Sequence, residues 1–140
     1  KDLITLDEEL SLSSRYLQIE QIRFGARLSV REDVSPNART SMVPPLILQP
    51  LIENAVGHGI AHLLEGGTIT IRAERSPMTL TIAVSNPYDR EKPASRGSGL
   101  GLENVRRRLR TLYDTDAVLT VSDSASTFTA EIILPASEKH

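Results

Sequence analysis

Two pairs of segments with alternating apolar and polar residues constrain the fold of this 140-residue chain most strongly. The first pair covers residues 69–73 and 80–84, and the second covers residues 118–121 and 128–134. Alternation with a period of two predicts strands that bury one face, and strands adjacent in sequence favour antiparallel hairpins. The sequence therefore predicts a mixed, mainly antiparallel sheet rather than repeated βαβ units.

Segments with helical periodicity alternate with these strands. The first covers residues 7–24 and follows a capping-box sequence at Thr5–Glu8, which satisfies free N–H groups where a helix starts. The others cover residues 43–60 and 101–113, and a further strand is predicted over 28–34. The order αβα-ββ-α-ββ predicts an α+β fold in which three helices cover one face of the sheet and alternating polar residues occupy the other.

Composition excludes several classes of function. The chain has no cysteine or tryptophan, two Phe and three Tyr, so its core must be aliphatic and it holds no disulfide, thiol catalyst or cysteine-ligated metal. A formal net charge of −2 argues against nucleic acid as a partner, which usually requires a basic surface. No apolar stretch reaches the ~20 residues of a membrane-spanning helix. The chain starts at Lys1 rather than methionine, and we expect it to be part of a longer protein.

A glycine-rich segment precedes the last helix, with Gly97, Gly99 and Gly101 at alternate positions before Leu102. Such a segment brings backbone N–H groups close to an anion, and a helix N-terminus favours phosphate. No Gly-Lys-Ser/Thr follows, which excludes a Walker A loop, and Leu102 stands where a dinucleotide-binding motif requires glycine. From these residues alone, a phosphate site and a flexible hinge remain equally open.

A second polar cluster, Glu53-Asn54, lies beside the apolar stripe of the middle helix. Asparagine is a poor helix former, but its carbonyl oxygen suits Mg²⁺, which also binds phosphate oxygens. Glu53 could orient or deprotonate a nucleophile, although a solvent-exposed pair is the commoner arrangement. The spacing of His58 and His62 is that of a zinc-binding helix, but the glutamate of His-Glu-x-x-His is missing, which argues against zinc.

Together these segments resemble the ATP-binding catalytic domain of sensor histidine kinases. The similarity is greatest to the LytS/YehU/AlgZ type within the gyrase–Hsp90–histidine kinase–MutL (GHKL) superfamily. Residues 16–25 resemble the first helix of that family, residues 43–59 its N box, and residues 97–109 its second glycine box with the following helix. The fold implied is the Bergerat α/β sandwich, which agrees with the element order.

The resemblance also implies a role for individual residues. Asn54 matches the Mg²⁺ ligand, and Glu53 matches the acidic neighbour often given a base role, so these two are the candidate catalytic residues. His58 matches a position that lines the nucleotide, and Asn104 a polar contact near the phosphates. The nucleotide-binding residues implied are Asn54, His58, Asn86, Gly97, Gly99, Leu100, Gly101, Leu102 and Asn104.

Two positions depart from the family pattern. Asn86 stands where an aspartate normally reads the adenine amino group, and Gly57 stands where many relatives have lysine. An asparagine carbonyl can accept the same hydrogen bond, but without the charge that strengthens it. We therefore expect ATP binding to survive with modest affinity.

The function implied is binding of ATP with Mg²⁺ and donation of the γ-phosphoryl group to a histidine on an upstream dimerisation domain, and then to a response regulator. Residues 1–24 would form the end of the linker from that domain, 25–137 the ATP-binding domain, and 138–140 a tail. The domain itself would be cytoplasmic and its parent a membrane-anchored homodimer. The alternatives are a Ser/Thr kinase of the anti-sigma-factor kind and a degenerate nucleotide-binding domain that serves protein interaction.

Overall fold

A five-stranded sheet forms the centre of the fold in the computed structural model, which describes residues 2–89 and 98–138. Its strands lie in the order β2-β4-β5-β7-β6; β2 and β4 are parallel, and the other pairs are antiparallel. A separate two-stranded ribbon pairs β1 with β3. The strands are β1 (Ile4–Thr5), β2 (Leu28–Val34), β3 (Met42–Val43), β4 (Gly67–Arg75), β5 (Thr79–Pro87), β6 (Val118–Ser124) and β7 (Thr127–Pro135).

Three long helices cover one face of this sheet, as predicted. The long helices are α1 (Leu6–Phe24), α3 (Gln49–His58) and α4 (Ser98–Tyr113), and a four-residue helix, α2 (Pro36–Arg39), lies between β2 and β3. Helix α1 packs against β2, α3 against β4 and β5, and α4 against β6 and α3. The α+β architecture and the mixed, mainly antiparallel sheet are therefore confirmed. None of the helices in the described ranges is long and apolar enough to cross a membrane.

Aliphatic side chains fill the space between the sheet and the helices. Ile69, Ile82 and Ile132 contribute from three neighbouring strands, and each is fully buried. On the opposite face, Thr68 and Arg72 of β4 are exposed. The predicted alternation is confirmed, because successive side chains of a strand point to opposite faces.

Helix α1 starts with the capping box that the sequence predicts. The Glu8 backbone N–H donates to Thr5 Oγ1 over 3.1 Å, and the Thr5 backbone N–H donates to Glu8 Oε1 over 2.9 Å. Leu10 and Leu17 on the inner face of the helix are buried in the core that also holds the sheet residues. Helix α1 thus packs as part of the same folded unit, and the boundary between linker and domain at residue 24 stays a prediction.

The middle helix is shorter than predicted, because residues 43–48 are not helical. Val43 belongs to β3, and α3 begins only at Gln49. Two prolines follow Val43, and a residue that precedes proline is disfavoured in the helical conformation. Leu46 then adopts a φ of 60°, which no right-handed helix accommodates. Pro50 lies in the first turn of α3, where its missing N–H costs least.

Two further boundaries differ from the prediction. Helix α4 begins at Ser98, three residues before its predicted start at residue 101, so Gly99 lies in its first turn rather than in a loop before it. The last hairpin turns over Ala125 and Ser126 alone, both with positive φ, as two-residue hairpin turns of type I′ require. Sequence patterns do not specify such ends well, since first-turn N–H groups need no partner inside the helix.

Candidate functional site

One stripe of α3 carries the polar residues of the predicted site. Pro50, Asn54 and His58 follow one another at intervals of four residues and so share a face, whereas Leu51 and Ile52 point into the core. Asn54 and His58 are half-buried. Within the described residues the Asn54 amide makes no hydrogen bond. A half-buried amide without a protein partner leaves its carbonyl oxygen available to a ligand.

Glu53 lies on a different side of α3, toward α1. Its side chain is exposed, and its Oε2 accepts a hydrogen bond of 3.0 Å from Gln49 Nε2. Burial, together with the negative charges of Glu20 and Glu53, raises the pKa of Tyr16 on α1 to about 12. The negative charge of the Glu53 carboxylate thus affects the Tyr16 hydroxyl electrostatically. Its suggested role as a base stays a prediction.

Asn86 is buried near the end of β5, with an exposed fraction of 3%. Its Nδ2 donates to the Pro87 carbonyl oxygen over 2.9 Å. This bond fixes the orientation of the amide and leaves Oδ1 as the acceptor. Since Oδ1 accepts no hydrogen bond within the described residues, it can receive one from a ligand.

The Asn86 amide lies directly against Gly59, which follows α3. A Cβ atom on Gly59 would overlap Asn86 Nδ2 and come within 2.8 Å of Asn86 Cγ and 2.7 Å of the Ala55 carbonyl oxygen. Glycine is therefore required here for space, and it fixes Asn86 against the end of the helix that carries Asn54. Sequence reasoning missed this contact because 27 residues separate the two positions and no pattern in the sequence links them.

The start of α4 meets the opposite end of the α3 stripe. A Cβ atom on Gly101 would lie 4.0 Å from Cβ of Pro50, and Leu102 is buried in the core. Gly99 and Leu100 lie in the first turn of α4, where backbone N–H groups lack partners within the helix and favour anions. Gly97 lies outside the described residues.

The structure thus brings most of the predicted residues to one region. Asn54 and His58 lie along α3, Asn86 adjoins the end of that helix, and Gly101 adjoins its start. Asn104 is exposed on α4, and within the described residues it makes no hydrogen bond to α3. The proximity of these groups is established, and the individual ligand-binding roles stay predictions.

Curated relatives match most of the chain. Sensor histidine kinase BtsS of Escherichia coli (strain K12) is 32% identical over 128 residues, which cover 91% of this chain and 23% of that protein. Sensor protein LytS of Staphylococcus haemolyticus is 33% identical and covers 83% of the chain. The chain belongs to this family of sensor histidine kinases. It spans about a quarter of the length of the relatives it matches, and no protein-family model matches it.

Solved structures show the same fold for this histidine kinase domain. The catalytic domain of histidine kinase ThkA superimposes with a TM-score of 0.70 at 14% identity, covering 98% of this chain and 97% of the other. The mycobacterial sensor histidine kinase MprB gives a TM-score of 0.69 at 18% identity, with 98% of both chains covered. These likenesses support the fold of histidine kinase catalytic domains at sequence identities too low to assign residues.

Two arginines of α4 donate hydrogen bonds to backbone carbonyl oxygens of neighbouring segments of this kinase domain. Arg106 Nε donates to the Leu119 carbonyl oxygen over 3.2 Å, and Arg108 donates to two carbonyl oxygens of the segment before α3. Arg107 lines a cleft of about 700 Å³ beside Pro44 and Leu112. Among residues 2–89 and 101–138, no predicted site residue lines that cleft.

The His58 side chain gives the domain a predictable dependence on pH. Burial lowers the pKa of His58 below its usual value of 6.5, and nearby His62 lowers it further. The unfolded chain therefore takes up a proton at a higher pH than the folded chain. The free energy of unfolding should be insensitive to this group above about pH 6.5 and should fall below it. Denaturant unfolding from pH 8 to pH 5 checks this, and His58→Gln should reduce the decline; an unchanged decline would contradict it.

Proposed function

We propose that the chain binds ATP with Mg²⁺ and donates the γ-phosphoryl group to a histidine on a part of the parent protein outside this chain. The observation that carries the proposal is the placement of two available amide oxygens, Asn54 Oδ1 on α3 and Asn86 Oδ1 at the end of β5, around one helix. The first turn of α4 meets the other end of that helix. The similarity to BtsS and LytS supports this reading.

The residues at each end of the site fit a different part of the nucleotide. A neutral amide oxygen such as Asn54 Oδ1 is a suitable ligand for Mg²⁺, which keeps several waters and binds phosphate oxygens. The N–H groups of the first turn of α4, which includes Gly99 and Gly101, fit the phosphates. Bound Mg²⁺ would neutralise charge that develops during transfer. No group of three or more His, Cys, Asp or Glu side chains suited to a metal occurs in residues 2–89 and 98–138, so we assign the metal to Asn54 and the phosphates together.

Asn86 fits the base. Its Oδ1, fixed by the bond from Nδ2 to Pro87, would accept a hydrogen bond from the adenine amino group. Because this acceptor is neutral, the bond should be weaker than one to a carboxylate, and the affinity modest. The fold of the full-length kinase ShkA, solved in complex with AMPPNP, matches this domain with a TM-score of 0.70, which supports a nucleotide as the ligand.

The remaining roles belong to the same proposal. His58, Leu100, Leu102 and Asn104 would line the nucleotide together with Gly97, and Glu53 would orient the acceptor histidine. That histidine would lie on an upstream dimerisation domain, from which a response regulator takes the phosphoryl group. The domain would work on the cytoplasmic side of a membrane-anchored homodimer.

Incubation with γ-labelled ATP tests whether this chain donates the phosphoryl group to a histidine that lies outside it. We expect the chain to bind the nucleotide but to acquire no acid-labile label by itself, because the acceptor histidine lies elsewhere. Adding the parent protein's upstream domain should produce acid-labile label on that domain. Strong acid-labile label on this chain alone would contradict the proposal, and acid-stable label on a serine would indicate the anti-sigma-factor kind of kinase.

A further inference from the structure

Two charged side chains from different helices hold the segment that precedes α3, residues 45–48. The first is Glu9 of α1, which is fully buried. Its Oε1 accepts the N–H of Leu46 and its Oε2 accepts the N–H of Leu48, each over 2.9 Å. A carboxylate is costly to bury unless its oxygens are hydrogen-bonded. The two hydrogen bonds from residues 45–48 therefore stabilise the buried Glu9 carboxylate, and Glu9 in turn fixes the backbone of this segment.

The second is Arg108 of α4. Its Nη2 donates to the Pro45 carbonyl oxygen over 2.8 Å, and its Nη1 donates to the Leu46 carbonyl oxygen over 3.1 Å. The planar guanidinium can direct two N–H groups at once, which an ammonium group does not do. Leu46 is thus bound at its N–H by Glu9 and at its carbonyl by Arg108, which links α1 to α4 through a single residue.

The conformation held in this way is unfavourable on its own. Leu46 has a φ of 60° and is half-exposed, so burial of its side chain does not explain the backbone. A residue with a Cβ in the left-handed region persists only where its surroundings impose that conformation. Those surroundings are the hydrogen bond that Glu9 accepts from the Leu46 N–H and the one that Arg108 donates to the Leu46 carbonyl oxygen.

This segment fixes the start of the helix that carries Asn54. Leu48 is the N-cap of α3, and its own side chain makes no capping hydrogen bond. The Glu9 carboxylate accepts the N–H of this N-cap residue, as the glutamate of a capping box does, and its negative charge suits the positive end of the helix dipole. The position of α3, and of Asn54 on it, therefore depends on α1.

We propose that Glu9 and Arg108 are positioning residues for the Mg·ATP site. They align the start of α3 with α1 and α4, so that Asn54 and the first turn of α4 face the same phosphates. A shift of α1 that withdraws Glu9 would release Leu46 and misplace Asn54. Nucleotide binding is thereby coupled to the position of α1. This inference rests on the proposed function.

The experiment compares Glu9→Gln and Arg108→Met with two controls on α1. Glu9→Gln keeps the size of the side chain but directs an NH₂ group at a backbone N–H. Ser13→Ala changes a buried side chain whose Oγ has no hydrogen-bond partner among the described residues. Leu17→Val loosens the core about two turns further along α1 from Glu9. Each variant is titrated with ATP in the presence of Mg²⁺ and again in EDTA, at a temperature where it is fully folded.

We expect both test variants to bind Mg·ATP about tenfold more weakly and to lose most of the difference between Mg²⁺ and EDTA. Their amide hydrogen exchange at Leu46 and Leu48 should be faster. Both controls should bind within about twofold of the original chain, as expected for changes distant from the site. Arg108 is only half-buried, so Arg108→Met provides a second test variant if Glu9→Gln does not fold.

The outcomes separate this inference from the proposed function. If the original chain binds Mg·ATP and both test variants bind it equally well, the positioning role is wrong. If Leu17→Val weakens binding as much as Glu9→Gln, Glu9 acts only through general stability, and the inference is again wrong. If the original chain binds no nucleotide, the proposed function fails first.

Discussion

Replacing Asn54 by alanine is expected to remove the Mg²⁺-dependent part of ATP binding, lowering the affinity on the order of 100-fold. The half-buried Asn54 amide has no hydrogen bond within the described residues, so its loss leaves no protein group there without a partner. Alanine is also the better helix former, by up to about 0.7 kcal/mol per residue. The variant should therefore unfold at the same or a higher denaturant concentration, and weaker binding cannot be attributed to instability.

Glu53→Gln is the matched comparison on the same helix. The glutamine carbonyl can still accept the hydrogen bond from Gln49 Nε2, which spans 3.0 Å to Glu53 Oε2. We expect it to bind Mg·ATP within about twofold of the original chain, since its side chain points toward α1. Fluorescent-nucleotide titration of both variants measures the contrast. Equal affinities for Asn54→Ala and the original chain would show that Asn54 holds no metal.

Replacing Gly59 by alanine is expected to produce the second large loss, through Asn86. The added Cβ would overlap the Asn86 amide and press on the Ala55 carbonyl oxygen, so Asn86 must move or the end of α3 must shift. Overpacking of this kind costs about 1–3 kcal/mol of folding stability. If Asn86 Oδ1 receives the adenine amino group, its displacement should also weaken ATP binding by about tenfold, or 1.4 kcal/mol.

Gly57→Ala provides the control two residues earlier. A Cβ at Gly57 meets no atom within 4 Å, and alanine in a helix is more favourable than glycine by roughly 0.5–1 kcal/mol. This variant should be slightly more stable and bind ATP as before. Thermal unfolding and nucleotide titration of both variants measure these differences in stability and in ATP affinity. If the Gly59→Ala variant binds ATP as tightly as the Gly57→Ala variant, Asn86 does not bind the adenine base.

Periodic patterns in the sequence were sufficient to predict the sheet and the helices that cover it. Strand β2 occupies the predicted residues 28–34, and α1 differs from its prediction by one residue at its start. Both are long segments whose burial follows the repeat of the element. By contrast, α3 begins six residues later than predicted, because apolar spacing continues through Pro44 and Pro45, whereas helical backbone does not.

The candidate site was predictable only in its residue types. Asn54 and Gly101 could be chosen because amides and glycines at helix starts suit metal and phosphate. The contacts that hold these site residues in position could not be predicted from residue types. The hydrogen bonds from Leu46 and Leu48 to Glu9 span 37 and 39 residues, and the packing of Asn86 on Gly59 joins a strand to a helix end. Such contacts arise from tertiary structure and leave no local pattern.

Calorimetric titration of the chain with ATP, in Mg²⁺ and again in EDTA, tests the central claim most directly. We predict saturable binding in Mg²⁺ with a dissociation constant within the range of about 1 μM to 1 mM that is usual for enzyme substrates. Binding should be markedly weaker in EDTA and in Asn54→Ala. Absence of binding heat at millimolar Mg·ATP, with the chain folded, would contradict the assignment of this domain as the nucleotide-binding part of a histidine kinase.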